Sequence, residues 1–218
     1  HWAEKLLKEF GIEVHQGIAK TGIVGVLKKG SSNKSIGIRA DMDALPINEI
    51  NTFSYKSTID NRMHACGHDG HSAMLLGAAK YLAETRNFDG ALVVIFQPAE
   101  EGGGGAREMC EDDMMARWNI QEVYGMHNWP GEPAGNFYIR PGPFFAATDQ
   151  FDITVEGCGG HAAKPQQTVD PTVAASQMVL SLQSVVSRNA DPVQQMVISV
   201  TSFETSSKAY NVIPASVH

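Results

Sequence analysis

Apolar positions along the chain fall into two periods. Trp2, Leu6, Leu7 and Phe10 recur at the spacing of an amphipathic helix that Gly11 ends. Gly22 to Lys28 and Ser35 to Ala40 read as strands, with Gly30-Ser31-Ser32-Asn33 as a hairpin loop between them. The run from Ser72 to Leu82 predicts a buried helix, and Gly90 to Gln97 predicts a central strand buried on both faces. A helix over Ala106 to Trp118 and a strand over Glu122 to His127 follow. Around Pro141-Gly142-Pro143 the pattern changes. Phe151, Ile153 and Val155 alternate with Asp152, Thr154 and Glu156, as in a sheet with one wet face. A helix with Pro171 in its first turn runs to about Arg188, and strand-like runs occupy 196–203 and 211–217. The expected architecture is an α/β domain over 1–145, with a central, mostly parallel sheet and helices on both faces. A small α+β layer over 146–218 opens in the order β-α-β-β.

Composition narrows the function classes. The 218 residues are 43% hydrophobic and 19% charged, which suits a packed core and excludes a disordered chain or coiled coil. The net charge is −7 with no Lys/Arg run, so neither nucleic acid nor an anionic membrane is an expected partner. The apolar runs are too short to span a bilayer. No cationic leader opens the chain, and Cys66, Cys110 and Cys158 are too scattered for a disulfide framework. A reducing, cytoplasmic setting is the expectation.

Chemistry concentrates in His64-Ala65-Cys66-Gly67-His68-Asp69-Gly70-His71, which holds three imidazoles, a thiol and a carboxylate. Cys66 and His68, two residues apart, can face one point. The helix that follows puts them at an N-terminus, where free N–H groups and the helix dipole favour anions and thiolates. Capping histidines are the bland alternative; a metal site is the better reading. Acids appear at strand ends too: Asp41 and Asp43 before Pro46, and Glu100 and Glu101 before four glycines. Adjacent residues point in different directions, so one of the two glutamates can bind a metal while the other faces a bound water. His127 ends a third strand. Three strands thus deliver polar groups to one sheet edge, and independent turns and caps would not all choose the same edge.

These segments resemble the M20 metallopeptidase family. The resemblance rests on Arg39 to Ile47, His64 to His71, Gln97 to Gly102, Gly125 to Asn128, Gly159 to Ala163 and Asn211 to Pro214. It is narrower still to the amidohydrolase branch, with its hippurate hydrolases and auxin-conjugate hydrolases. The resemblance implies a catalytic α/β domain interrupted by a ferredoxin-like lid and dimerisation domain, acting as a homodimer. It implies two divalent metal ions per subunit, with Cys66, His68, Glu101 and His127 as ligands and Glu100 as general base. On the lid, His161 would hold the carbonyl oxygen in the partner subunit's site, with Asn211 near the substrate. His64, Asp69 and His71 read as supporting or capping groups. The family's further histidine ligand and its carboxylate-binding arginine have no counterpart in these residues, and Gln166 stands where relatives often carry His.

The implied reaction is hydrolysis of the amide bond of an N-acyl amino acid. A thiolate with imidazoles and carboxylates suits zinc, manganese, cobalt or nickel better than calcium or magnesium. A dipeptidase or carboxypeptidase would share this chemistry. A catalytically inactive metal-binding domain would require loss of Glu100 or His161, and both are present.

Overall fold

A computed structural model describes residues 2–218. Helix α1 (Trp2–Glu9) leads into strands β1 (Glu13–Ile18), β2 (Gly22–Lys29) and β3 (Ser35–Asp41). Helix α2 (His68–Thr85), strand β4 (Gly90–Gln97), short helices α3 (Gly105–Glu111) and α4 (Met114–Arg117), and strand β5 (Glu122–Gly125) complete the first part. The five strands form one sheet in the order β1-β2-β4-β3-β5. Strands β3, β4 and β5 are parallel, whereas β2 runs antiparallel to both its neighbours, β1 and β4. The sheet is therefore mixed rather than mostly parallel.

Strand β4 explains the order. Leu92, Val93, Val94, Ile95 and Phe96 are each at most 3% exposed. Such a strand needs a hydrogen-bonded neighbour on each edge and a cover on each face. Leu92, Val94 and Phe96 pack with Leu7 of α1 and Leu75, Leu76 and Ala79 of α2. Val93 and Ile95 pack with Met109 and Met114 from α3 and α4 on the opposite face. Helices thus cover both faces, as expected.

The hairpin expected between β2 and β3 does not form, because β4 lies between them. The loop joining them wraps the start of β4 instead. Asp89 Oδ1 accepts the N–H groups of Ser31 and Ser32, and Ala91 N–H donates to the Lys34 carbonyl. The true hairpin is β1–β2, which turns at Ala19 and Lys20 in positive-φ conformations. Its first strand carries few apolar residues and left no pattern to read. Helix α2 is buried only on the face toward the sheet: His68, His71, Leu75, Leu76 and Ala79 are covered, while Tyr81 is 63% exposed. The helix expected over 106–118 breaks into α3 and α4 at Asp113, whose φ is 61°.

A second compact unit, Phe137–His218, follows the first, which ends at Asn136. Helix α5 (Pro171–Ser184) is capped by Asp170, whose carboxylate accepts the Thr172 N–H at 2.9 Å. Strand β6 (Val155–Glu156) pairs with β9 (Ser216–Val217), and β7 (Gly160–His161) with β8 (Val212–Ile213). The strand expected over 150–157 shrinks to β6, the run over 211–217 divides into β8 and β9, and the strand expected over 196–203 does not form. Phe151 and Val197 are 51% and 84% exposed, so neither belongs to a buried core. No described helix is long and apolar enough to cross a membrane.

Phe96→Ala removes a fully enclosed ring from the centre of the first unit. It is expected to cost about 3–5 kcal/mol, read from the shift in urea-induced unfolding.

Candidate metal centre

Because β3, β4 and β5 are parallel, their C-terminal ends lie at one edge of the sheet. Asp41 and Asp43 leave β3 there, Glu100 and Glu101 follow β4, and His127 follows β5. The N-terminus of α2 brings Cys66 and His68 to the same edge. Gly67 makes this approach feasible: its φ is 83°, and an added Cβ would lie 2.5 Å from the Asn128 side-chain amide.

His68 is fully buried. Its Nδ1 lies 3.0 Å from the Asp43 backbone carbonyl, which can only accept, so Nδ1 carries the proton and donates. The Nε2 lone pair is then left without a hydrogen-bond partner. Around it stand Asp41 Oδ2 at 3.6 Å, Glu101 Oε1 at 3.7 Å and Glu100 Oε2 at 3.9 Å. A lone pair ringed by carboxylates is electrostatically unfavourable unless a cation sits among them. On the other side, His127 Nδ1 donates to the Asn128 carbonyl at 2.7 Å, which turns its Nε2 toward Cys66 Sγ at 3.4 Å. The Asp43 carboxylate accepts the Glu101 N–H at 3.0 Å and so fixes the start of the acidic turn.

Ligand atoms of Cys66, His68 and His127 lie within 4.8 Å of one another, as do those of His68, Glu100 and Glu101. His68 belongs to both groups. All four expected ligands and Glu100 therefore converge in the first unit. Thiolate, imidazole and carboxylate donors around one orphaned lone pair fit a borderline divalent ion such as zinc.

A third group, Asp41, His68 and His71, is also compact enough. Its Asp41 oxygens are already engaged, Oδ2 by Arg39 Nη1 at 2.8 Å and Oδ1 by His71 Nδ1 at 2.6 Å. Burial raises the Asp41 pKa, but the His71 hydrogen bond and the charges of Arg39, His68 and His71 outweigh it. The carboxyl ends below its ordinary value. This group is an ion-pair network beside the cluster. Neither Asp41's pairing with Arg39 nor Asn128's place in the cluster was seen in the sequence. Arg39 and Asp41, two apart on one strand face, were the signal for the first; for Asn128 it was its place in the segment Gly125 to Asn128. His64 and Asp69 are exposed and belong to none of the three groups.

His161 and Asn211 lie in the second unit, where the pairing of β7 and β8 brings them close. His161 pairs with Val212, and Ala162 N–H donates to the Asn211 carbonyl at 2.9 Å. Both side chains are exposed.

The model of peptidase family M20/M25/M40 matches residues 37–217. The chain belongs to this family. It is 52% identical over 95% of its length to the hippurate hydrolase of Campylobacter jejuni, covering 54% of that protein. It is 44% identical over 97% of its length to IAA-amino acid hydrolase ILR1-like 5 of Arabidopsis thaliana, covering 48%. The chain spans about half the length of these curated relatives. The YXEP protein of Bacillus subtilis, a dinuclear metal binding peptidase from the M20 family, superposes with a TM-score of 0.67 at 34% identity. That match covers 99% of this chain and 55% of the other.

Burial first, then the hydrogen bond to Glu101 and the charges of Glu101, Glu100 and Asp41, push the Cys66 thiol up to about 11. In metal-free protein with Cys110 and Cys158 replaced by Ser, only about one Cys66 in a thousand is then thiolate at pH 8. Iodoacetamide labelling should be slow there and rise about tenfold per pH unit toward 11. Rapid labelling at pH 8 would contradict the acidic environment described.

Proposed function

We propose that the protein containing this chain hydrolyses the amide bond of N-acyl amino acids, releasing a carboxylic acid and a free amino acid. The observation that carries the reading is His68 Nε2, buried and unpartnered among three carboxylates beside the Cys66–His127 pair. Cys66, His68, Glu101 and His127 would hold two divalent ions, drawn from zinc, manganese, cobalt and nickel. When bound, such a pair supplies a water of lowered pKa and Lewis-acid polarisation of the scissile carbonyl.

The protein's own groups do the rest. The Glu100 side chain is 43% exposed, open enough to take a proton from water and pass it to the leaving amine nitrogen. The exposed His161 imidazole would donate to the carbonyl oxygen as negative charge develops there, a type of contact worth about 10²–10³ in rate. Asn211, joined to the same short ladder, would contact the substrate. A cavity of about 350 Å³ lined by Ala65, Cys66, His127, Asn128, Trp129 and Pro130 gives the acyl group room beside the cluster. Hippurate and IAA-amino acids, named for two relatives, are both acyl groups joined to an amino acid, which supports this substrate class. The second unit would serve as a lid and dimerisation domain, so that His161 acts in the partner subunit's site.

A panel of acetyl, benzoyl and indolyl amides against dipeptides tests the substrate class; exclusive cleavage of dipeptides would replace it with a peptidase. Glu100→Gln keeps the shape of the side chain and removes its basicity. Metal content should hold while kcat falls by at least about 10³. Cys66→Ala and His68→Ala should instead lower metal content by elemental analysis; unchanged stoichiometry in both would return residues 64–71 to a capping role.

A mixture of Glu100→Gln and His161→Ala subunits tests the lid. With statistical exchange, half the dimers are mixed and each holds one intact composite site, so activity should recover to at most about a quarter of wild type. A dead mixture, with exchange proven by tagged subunits, places His161 in its own subunit's site.

A further inference from the structure

His71 is 3% exposed, and both of its ring nitrogens are engaged. Nδ1 lies 2.6 Å from Asp41 Oδ1. Nε2 meets Asn128 twice, through the backbone N–H at 3.0 Å and through the side-chain amide. With one nitrogen on Asp41 and the other on Asn128, the ring has no lone pair to turn toward Cys66 or His68, so it does not serve as a ligand. It stands instead edge-on to His127, with ring centroids 4.5 Å apart and planes at 71°.

Behind His71 the contacts run into the sheet. Asp41 is held by Arg39, whose Nε donates to Gln97 Oε1 at 2.7 Å. Arg39 and Asp41 belong to β3 and Gln97 to β4, so the series ends on the two most enclosed parallel strands. In front, Asn128 is the residue next to His127, and its carbonyl accepts the His127 Nδ1 proton at 2.7 Å. The turn that carries His127 lies beyond the end of β5, whose residues are exposed throughout. Residues 126–129 themselves belong to no strand.

We propose that His71 is a positioning residue: it fastens the turn bearing His127 to Asp41, and so sets the direction of His127 Nε2 toward Cys66. The inference rests on the reading of His127 as a metal ligand. Groups that orient a ligating histidine typically govern metal affinity by about 10–100-fold.

The test is a double-mutant cycle on the full-length, metal-free protein, with zinc alone as the probe and a chromophoric chelator as competitor. His71→Asn keeps a donor near Asp41 and is too short to reach Asn128. It should weaken zinc binding about 10–100-fold. In a His127→Ala background the same substitution should add little or nothing, because the group it positions is gone. A purely structural role would instead lower the melting temperature of the metal-free protein and leave zinc losses that multiply across the two substitutions. Multiplying losses, or wild-type affinity in His71→Asn, overturn the inference while leaving the metal site in place. Unchanged zinc affinity in His127→Ala alone overturns the ligand reading and the inference with it. If His71→Asn fails to fold, Asn128→Ala, at an exposed position, removes the side-chain contact with His71 while the backbone N–H contact stays. It should show a smaller loss that also vanishes with His127→Ala, and a loss that persists there counts against the proposal.

Discussion

Strand β4 carries five successive residues that are almost wholly enclosed, and its burial on both faces organises the first unit. A strand without a wet face cannot lie at an edge, where its peptide groups would lack partners in an apolar setting. It therefore takes β2 on one side and β3 on the other, and separates two strands that are neighbours in sequence. Helices α1 and α2 close one face and α3 and α4 the other. Parallel pairing of β3, β4 and β5 then has a chemical consequence. Every polar residue that follows one of these strands arrives at the same edge.

The acids gathered there repel one another, and their environment is built around that repulsion. Arg39 offsets Asp41 and ties it to Gln97. Asp43 is drawn to the backbone of Glu101. What this network leaves uncompensated is the space in front of His68 Nε2, where Glu100 and Glu101 add further negative charge. Burial, then Glu101, Glu100 and Asp41, push the Cys66 thiol pKa up, and thiol, imidazole and carboxylate donors together form a site suited to divalent charge.

The second unit presents its candidate residues differently. His161 ends a two-residue strand and Asn211 directly precedes another, both with exposed side chains, joined by a few backbone hydrogen bonds. Short, exposed ladders open at low cost compared with core strands.

Residue type and period were enough to mark out the candidate donors. Cys66 and His68 fall in an eight-residue segment that holds three of the chain's eight histidines, and Gly90 to Gln97 read as an interior strand. The acids at strand ends were legible for the same reason, since a hydrophobic run that stops at charged residues marks where the chain leaves the core. The strand order, the weak strand β1 and the break at Asp113 were not legible, because each depends on which distant segment supplies a partner. The same holds within the cluster. Three histidines lie within eight residues, yet only the fold distinguishes them. His64 faces solvent; His68 is turned toward the acids by a carbonyl 25 residues away; His71 is locked between Asp41 and Asn128, 30 and 57 residues distant. A sequence states which side chains carry lone pairs, whereas the direction of each lone pair is set by the hydrogen bond on the opposite ring nitrogen, and tertiary structure alone supplies that partner.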